Sequence, residues 1–412
     1  MYGKKHFEMM ILMKDIYENN LGNFFENKGR LIYTPGPTMV HPRVLQAMSK
    51  QIINPDLDPD FPDWFLETSQ LIGKIIKTKE EVLILPGEGM LALDAALNSI
   101  VKPKDKVLVL ASGIFGYGFA TMVENCQAKP IVLATNEYNE TLNIEKVKEA
   151  IDNNPDISAI TVIHCETPSG TLNPLGEIGK ICKKSNAVLI VDAVSSNAGT
   201  EVRTDEWSID INLGASQKCF SAPPGISFLS LSQKALEVIN ERESIPTFYS
   251  NLSLWTKSWV KNRTLPFTHS ISDLYAFRES INLILEEGLE NVFKRHDYVS
   301  RALIDAGRST GLELYPKSDD IISPTVTVFK TPIGIDSDKL LMHLWKKYGV
   351  LLAGAWGPVL GGKVIRLGNM GYGANPHFAI IALTALEKAL IDFGIKIKTG
   401  TAAGIFMDNI YE

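Results

Sequence analysis

Short runs of apolar residues alternate with longer amphipathic stretches along most of the chain, beginning near Leu31. The apolar runs are continuous and rich in Val, Ile and Leu. Strands of this kind are typical of a sheet buried on both faces, and the amphipathic stretches between them are typical of covering helices. The pattern therefore predicts an α/β fold with a mainly parallel sheet. The predicted strands include residues 82–85, 106–110, 157–163 and 187–191.

Beyond about Ser272 the pattern changes to long helices. A helix over residues 273–287 is followed by a second helix that runs through Ala306, and a strand is predicted over residues 325–330. A second domain therefore begins in this region. We predict an N-terminal arm, a large domain and a smaller C-terminal α/β domain with a tail, at residues 1–30, 31–285 and 286–412.

The predicted arm carries an apolar run at residues 9–13 that is followed directly by Asp15 and Glu18. The run is too short to span a membrane, and no small-residue cleavage site follows it. Neither export nor a membrane partner is therefore predicted. Two interpretations of the arm stay open: it packs on another subunit, or it covers its own domain.

Composition narrows the class of protein. The chain has 412 residues, of which 45% are hydrophobic and 21% charged, as in a folded globular protein. The formal net charge is −6 and no block of Lys and Arg could follow a phosphate backbone, which argues against a nucleic-acid partner. The cysteines are far apart and predict buried thiols in a cytoplasmic protein, with neither a disulfide framework nor a metal site. They are Cys126, Cys165, Cys182 and Cys219.

A carboxylate and a lysine follow separate predicted strands. Asp192 ends the run over residues 188–191, and Lys218 comes after the next strand-like segment. Because ligands of open α/β sheets bind at the carboxyl ends of the strands, both side chains are expected at one crevice. A partly desolvated lysine forms an imine with an aldehyde, and a carboxylate keeps a pyridine nitrogen protonated. Taken alone, Asp192 could equally be a helix cap and Lys218 a solvated side chain, but the rigid loop over residues 221–225 favours the catalytic interpretation.

Several motifs carry a resemblance to a known family. From about residue 31 the chain resembles the class V, fold-type I aminotransferases, the group that contains alanine–glyoxylate and serine–pyruvate aminotransferases. The resemblance implies a large domain on a mainly parallel sheet and a smaller C-terminal domain. The matching segments are residues 34–37, 113–116, 166–170, 191–196, 216–218, 222–225 and 363–368.

The resemblance also implies a role for each matching residue. Lys218 would hold the cofactor aldehyde as a Schiff base and shuttle the proton, and Asp192 would face the pyridine nitrogen. Phe115 and Val194 would cover the two ring faces, and Thr167 would bond the phenolic oxygen. Arg366 would bind the substrate carboxylate, because a guanidinium matches a carboxylate with two parallel hydrogen bonds.

Further contacts follow from the same resemblance. Thr268 would reach the cofactor of a neighbouring subunit, which implies a homodimer or a homotetramer. The substrates would be small amino and keto acids. The remaining cofactor contacts would be Glu88, Gly89, Met90 and Gln217, and the remaining substrate contacts Pro35, Gly36 and Trp356.

The sequence departs from the family pattern where the cofactor phosphate would bind. Glu88 stands where most members have a small hydroxyl residue, and Leu265 stands where a tyrosine of the neighbouring subunit is expected. This combination resembles the pyridoxamine–pyruvate type, which converts unphosphorylated pyridoxamine and pyruvate to pyridoxal and alanine. That type uses two arginines, and the earlier one falls near Ala355 or Trp356, so Arg366 would act alone. A bulkier or less acidic amino acceptor, with Trp356 as a pocket wall, therefore stays open.

Three alternatives remain. Glu88 could be an ordinary charge at a helix N-terminus, in which case the protein would bind pyridoxal 5′-phosphate and use alanine or serine with glyoxylate or pyruvate. A class V lyase or desulfurase would need a nucleophilic cysteine in an exposed loop, whereas Cys219 resembles a packed core thiol. An inactive scaffold is disfavoured because Lys218 and Asp192 are both retained.

Overall fold

The computed structural model describes residues 30–410. The predicted arm therefore lies outside the described residues, apart from Arg30. The strands are β1 (Leu31–Ile32), β2 (Val82–Pro86), β3 (Lys106–Ala111), β4 (Lys129–Ala134), β5 (Ile157–Ile163), β6 (Cys165–Glu166), β7 (Thr171–Leu172), β8 (Val188–Asp192), β9 (Ile211–Ala215), β10 (Ile226–Leu231), β11 (Thr327–Lys330), β12 (Val350–Leu351) and β13 (Val364–Leu367).

Helices fill most of the remaining chain, and two of them continue into a turn of π-helix, at Thr256–Lys261 and Leu344–Tyr348. Short 3₁₀ turns lie at Asp319–Ile321 and Gly371–Gly373. The α-helices are α1 (Pro42–Met48), α2 (Phe61–Ile76), α3 (Gly89–Ile100), α4 (Ile114–Asn125), α5 (Ile144–Asp152), α6 (Leu175–Cys182), α7 (Gln233–Asn240), α8 (Leu252–Trp255), α9 (Ile271–Glu287), α10 (Leu289–Ser309), α11 (Ser337–His343), α12 (Gly357–Leu360), α13 (Pro376–Asp392) and α14 (Thr401–Asn409).

A seven-stranded sheet with the order β2-β10-β9-β8-β5-β3-β4 forms the centre of the fold. Every neighbouring pair is parallel except the two pairs that β10 makes. Successive side chains of a strand point to opposite faces, so Val107 and Val109 join one hydrophobic cluster while Leu108 and Leu110 join another. Helices cover both clusters, which confirms the predicted α/β architecture with a mainly parallel sheet.

The individual strands follow the apolar runs closely. The predicted strand over residues 157–163 coincides with β5, and β8 is displaced by one residue from the run over 187–191. The strand predicted over residues 325–330 begins only at Thr327. The reason is its partner: Thr327 pairs with Leu367, the last residue of β13, and the following residue, Gly368, donates its N–H to the Tyr33 carbonyl oxygen instead.

A third hydrophobic cluster joins the C-terminal part of the chain to its first described strand. Leu31 and Tyr33 pack with side chains from α10, α13 and α14, and β1 pairs in parallel with β12. Residues near position 31 therefore belong to the same core as residues near position 400. The division of the chain at residues 285 and 286 stays a prediction.

Two negative findings concern the described part of the chain. The cysteines all carry free thiols, and Cys165, Cys182 and Cys219 are buried as predicted while Cys126 is partly exposed. Between residues 30 and 410 no helix combines the length and the apolar character needed to cross a bilayer.

Candidate active site

The carboxyl ends of five parallel strands converge at one edge of the central sheet. This edge is where open α/β sheets bind ligands, because the loops that leave neighbouring strands meet there. Most of the sequence-predicted residues lie on those loops. Glu88 follows β2, Phe115 follows β3, Thr167 follows β5 and the short β6, Asp192 ends β8 with Val194 just beyond it, and Gln217 and Lys218 follow β9.

Lys218 lies at the centre of this edge with its amine largely enclosed. Its Nζ donates a hydrogen bond to the Pro35 carbonyl oxygen at 2.7 Å. Gly36 has a φ of +95°, and a Cβ at this position would lie 2.4 Å from Lys218 Cδ, so only glycine fits. Burial, reinforced by the positive charge of Arg366, lowers the pKa of Lys218 to about 8. A substantial fraction of the amine is therefore neutral and nucleophilic near physiological pH.

Asp192 ends β8 with 9% of its surface exposed. Its Oδ1 accepts a hydrogen bond from the Val194 N–H at 2.9 Å, which fixes the carboxylate at the strand end. Burial raises the pKa of Asp192 to about 6, and the negative charge of Glu88 acts in the same direction. The charge of Lys218 opposes this shift, so the carboxylate is mainly ionised at pH 7.

The start of α3 carries the residues predicted for the phosphate site. Glu88 precedes the helix in an extended conformation and is exposed, and its side chain makes no capping bond to the helix. Gln217 Nε2 donates to Glu88 Oε2 at 3.4 Å. Gly89 lies against Val194, and Met90 is exposed at the first turn. An acidic side chain therefore stands beside the N–H groups that begin α3.

Thr167 and Ser195 connect the loops that follow β5 and β8. Thr167 is buried, and its hydroxyl donates to Ser195 Oγ at 2.7 Å. Ser195 directly follows Val194, whose side chain is also buried. Sequence reasoning assigned no role to Ser195, although its place in the run over residues 191–196 was a usable signal.

Three large side chains form the far wall of the site. The rings of Phe115 and Trp356 meet edge to face with their centroids 5.7 Å apart. Arg366 Cζ lies 5.7 Å from the centre of the Trp356 ring, and its Nε donates to the Gly354 carbonyl oxygen at 2.6 Å. Burial lowers the pKa of Arg366 to about 10, which leaves it positively charged. Within residues 30–410, Arg366 forms no ion pair, so its charge is available to an anionic ligand.

One buried carboxylate was missed as a site residue. Glu166 is fully buried next to Thr167, and its two oxygens accept hydrogen bonds from the backbone N–H groups of Phe115 and Gly116 at 2.9 and 3.1 Å. A signal did exist, since Glu166 is a carboxylate that follows a continuous apolar strand, as Asp192 does. Its partner was hidden because Phe115 is 51 positions earlier in the chain.

Thr268 lies apart from these residues. It is exposed, and no hydrogen bond in the described chain connects it to Lys218, Asp192 or Glu88. Leu265, in the same segment, is partly exposed. The contact of Thr268 with a neighbouring subunit stays a prediction.

The family model for class-V aminotransferases matches residues 31–357. An uncharacterized aminotransferase of Methanocaldococcus jannaschii is 37% identical, over 90% of this chain and 94% of its own length. The pyridoxamine–pyruvate transaminase of Mesorhizobium japonicum is 34% identical, over 89% of this chain and 93% of its own. The crystal structure of ureidoglycine–glyoxylate aminotransferase from Bacillus subtilis superposes with a TM-score of 0.89 at 33% identity, covering 93% of this chain and 98% of that one.

These similarities span the large sheet, the C-terminal core and the crevice between the strand ends. The chain therefore belongs to the class-V aminotransferase family and is an aminotransferase with the fold of its fold-type I relatives.

Proposed function

We propose that the protein transfers an amino group between unphosphorylated pyridoxamine and a small keto acid such as pyruvate, giving pyridoxal and alanine. The observation that carries this proposal is Glu88 at the start of α3, with its carboxylate held near Gln217. The similarity to a pyridoxamine–pyruvate transaminase supports it.

The residues present fit a pyridine ring that carries a carbonyl group. A partly neutral amine at Lys218 faces the same crevice as the buried carboxylate of Asp192. The Oε1 of Gln217 is buried and has no partner within the described chain, so a ligand could supply one. When bound, the B6 ring supplies an aldehyde and an acceptor for electrons.

Each side chain then has a defined task. Lys218 would bond to the carbonyl carbon with loss of water, and its Nζ would afterwards carry a proton, for which a pKa near 8 is well matched. Asp192 would hold a negative charge beside the ring nitrogen and keep it protonated. Phe115 and Val194 would enclose the ring, and Thr167 would bond its phenolic oxygen. Arg366 binds the keto acid carboxylate through its fork of N–H donors.

Glu88 bears on the choice between pyridoxal and its phosphate. Backbone N–H groups and the helix dipole make a helix N-terminus a site for anions. At α3 the carboxylate of Glu88 supplies a negative charge to that position, so a phosphate would meet repulsion there. A neutral hydroxymethyl group would meet none. The expected discrimination is at least about tenfold in dissociation constant, because like charges near a protein surface repel by about 1–4 kcal/mol at contact distances.

A second candidate is an ordinary aminotransferase that retains pyridoxal 5′-phosphate and acts on alanine or serine with glyoxylate or pyruvate. It is favoured by the exposure of Glu88, because a long solvated side chain can turn away from an arriving phosphate. The structural similarity to a ureidoglycine–glyoxylate aminotransferase is also compatible with it.

We also propose which keto acid accepts the amino group and how many subunits the protein has. Arg366 is the buried cation of the wall and Trp356 narrows the space beside it, so a keto acid with one carboxylate and a small side chain fits best. We further propose a homodimer or homotetramer in which Thr268 serves the site of a neighbouring subunit. The exposure of Thr268 is compatible with that arrangement.

The deciding experiment is a titration of cofactor-free protein with pyridoxal and with pyridoxal 5′-phosphate, followed by visible absorbance. We expect the wild-type protein to bind pyridoxal at least about tenfold more tightly. Glu88→Ser should reverse or abolish that preference, and Glu88→Gln should give an intermediate result because it removes the charge and keeps the size. Glu177→Ser, on the surface helix α6, is the control. An unchanged ratio of the two affinities in Glu88→Ser would exclude the proposed role and favour the ordinary aminotransferase.

A further inference from the structure

The buried carboxylate of Glu166 holds the first turn of α4 through two backbone groups. It accepts from the N–H of Phe115 at 2.9 Å and from the N–H of Gly116 at 3.1 Å. The first N–H groups of a helix have no partner inside the helix, and a capping side chain normally satisfies them from the preceding residue. That residue here is Gly113, which has no side chain to do so. Glu166 therefore caps α4 from another strand.

The same turn carries the ring that is expected to cover the cofactor. Phe115 provides one of the two N–H donors, and its side chain projects from the same residue to meet Trp356 edge to face. A shift of the main chain at Phe115 would therefore displace its ring. The two bonds are accepted by different oxygens of Glu166, whereas a neutral amide has only one acceptor oxygen, so the carboxylate is specifically suited to fix this turn.

Close packing shows how narrowly Glu166 is placed. A Cβ on Gly113 would lie 2.5 Å from Glu166 Cγ and 2.7 Å from its Cδ. The φ of Gly113 is 175°, an extended conformation open to any residue, so the absence of a side chain serves the approach of Glu166. Gly113 and Glu166 thus form one unit at the base of the Phe115 ring.

We propose that Glu166 is a positioning residue that sets the orientation of the Phe115 ring over the bound B6 ring, acting through the main chain of α4. This inference rests on the proposed B6 chemistry of the site, but it is independent of whether the phosphate is accepted.

Burial and neighbouring charged groups act on the pKa of Glu166 in opposite directions. Burial raises its pKa to about 7, and the negative charge of Asp192 acts in the same direction, whereas the two backbone N–H bonds and the positive charge of Arg366 lower it. Cys165 and Tyr138 also interact with it electrostatically. Glu166 therefore lies within the electrostatic field of both Asp192 and Arg366.

The test uses pyridoxine, which has no aldehyde and so binds without reacting with Lys218. Its dissociation constant from cofactor-free protein is measured by fluorescence for the wild type, Glu166→Gln, Phe115→Ala and the double variant. We expect Glu166→Gln to weaken binding about tenfold in the wild-type background, as for loss of a hydrogen bond to a charged group. In the Phe115→Ala background the same substitution should weaken binding less than about twofold, since coupled residues are not additive. The near-ultraviolet circular dichroism of bound pyridoxine should change in Glu166→Gln.

Controls separate positioning from general stability. Asn143→Ala removes the cap of a different helix, α5, and should lower the unfolding temperature without changing pyridoxine affinity. Gly113→Ala should displace the Glu166 side chain and weaken pyridoxine binding to a similar extent. It provides the test if Glu166→Gln does not fold. The proposal would be overturned if Glu166→Gln weakened binding equally in the wild-type and Phe115→Ala backgrounds. It would also be overturned if neither Glu166→Gln nor Gly113→Ala weakened pyridoxine binding.

Failure of this proposal can be distinguished from failure of the proposed function. The loss in Glu166→Gln should be the same for pyridoxine and for its 5′-phosphate, because both present the same ring to Phe115. The ratio of those two affinities reports on Glu88 instead. If the wild-type protein bound neither pyridoxine nor its 5′-phosphate, the B6 site would be rejected, and with it the role assigned to Glu166.

Discussion

Lys218 combines three features that act on one nitrogen atom. Its side chain is packed against Gly36, its Nζ is bonded to a neutral carbonyl, and the nearby Arg366 carries a positive charge. Burial and the charge of Arg366 disfavour the protonated amine, and the neutral Pro35 carbonyl stabilises it less than a carboxylate would. The opposing charge of Asp192 only partly restores the affinity for the proton.

The pH dependence of pyridoxal binding should report this environment. Because only the neutral amine attacks an aldehyde, the rate of pyridoxal capture should rise with pH through a midpoint near 8, well below the ordinary value of 10.5 for lysine. Stopped-flow absorbance between pH 6.5 and 10 measures it. Lys218→Ala should abolish the signal and reduce turnover by more than about a thousandfold. A midpoint above pH 10, or normal turnover in Lys218→Ala, would contradict the assignment.

At the scale of single elements, α5 is stabilised by an N-cap that lies outside the candidate active site. Asn143 precedes the helix, and its side chain accepts from the Lys146 N–H at 3.0 Å. Asn143→Ala should destabilise the protein by about 1 kcal/mol, the usual contribution of an N-cap, and leave turnover unchanged. Chemical denaturation and a standard transamination assay measure the two quantities. Asn143→Asp should retain stability, and equal losses in both variants would show that the cap bond is not the cause.

Continuous local patterns were readable from the sequence, whereas pairings between distant segments were not. The apolar run over residues 157–163 gave the bounds of β5, because burial on both faces imposes a continuous pattern. The late start of β11 depends on Tyr33, almost 300 positions away, and the periodicity of residues 325–330 carries no trace of that contact. The sequence likewise placed Asp192 and Lys218 at strand ends, but it could not indicate that Glu166 reaches Phe115.

For the whole molecule, buried titratable groups pull stability in opposite directions as the pH falls. Burial lowers the pKa values of His164 and His296 to about 3 and that of His269 to about 4, so these rings stay neutral in the folded state. In the unfolded chain they take up protons near pH 6.5, which favours unfolding below that pH. Asp192 and Glu166 have raised pKa values of about 6 and 7, so they bind protons earlier when folded and favour folding as the pH falls toward 4.5.

Three histidines outweigh two carboxyl groups, so the cofactor-free protein should become less stable on acidification. Exposed carboxylates held by cations, such as Asp392 and Asp319, have lowered pKa values and add to the trend. The unfolding temperature should therefore fall between pH 6.5 and 4.5, which differential scanning fluorimetry in buffers of constant ionic strength can measure. A temperature that stays constant or rises across this range would mean that the histidines do not dominate.

The pairing of β1 with β12 has a consequence for how the protein is made. Leu31 pairs with Val350, so an early strand must wait for a partner about 320 residues later before the C-terminal core can close. At roughly 5–20 residues per second, translation takes on the order of 15 seconds to a minute to cover that distance. For most of that interval Leu31 and Tyr33 have left the ribosome without their final neighbours. Completion of the catalytic crevice is thereby tied to the end of synthesis, and a nascent chain stalled before Val350 would contain Lys218 but neither Trp356 nor Arg366.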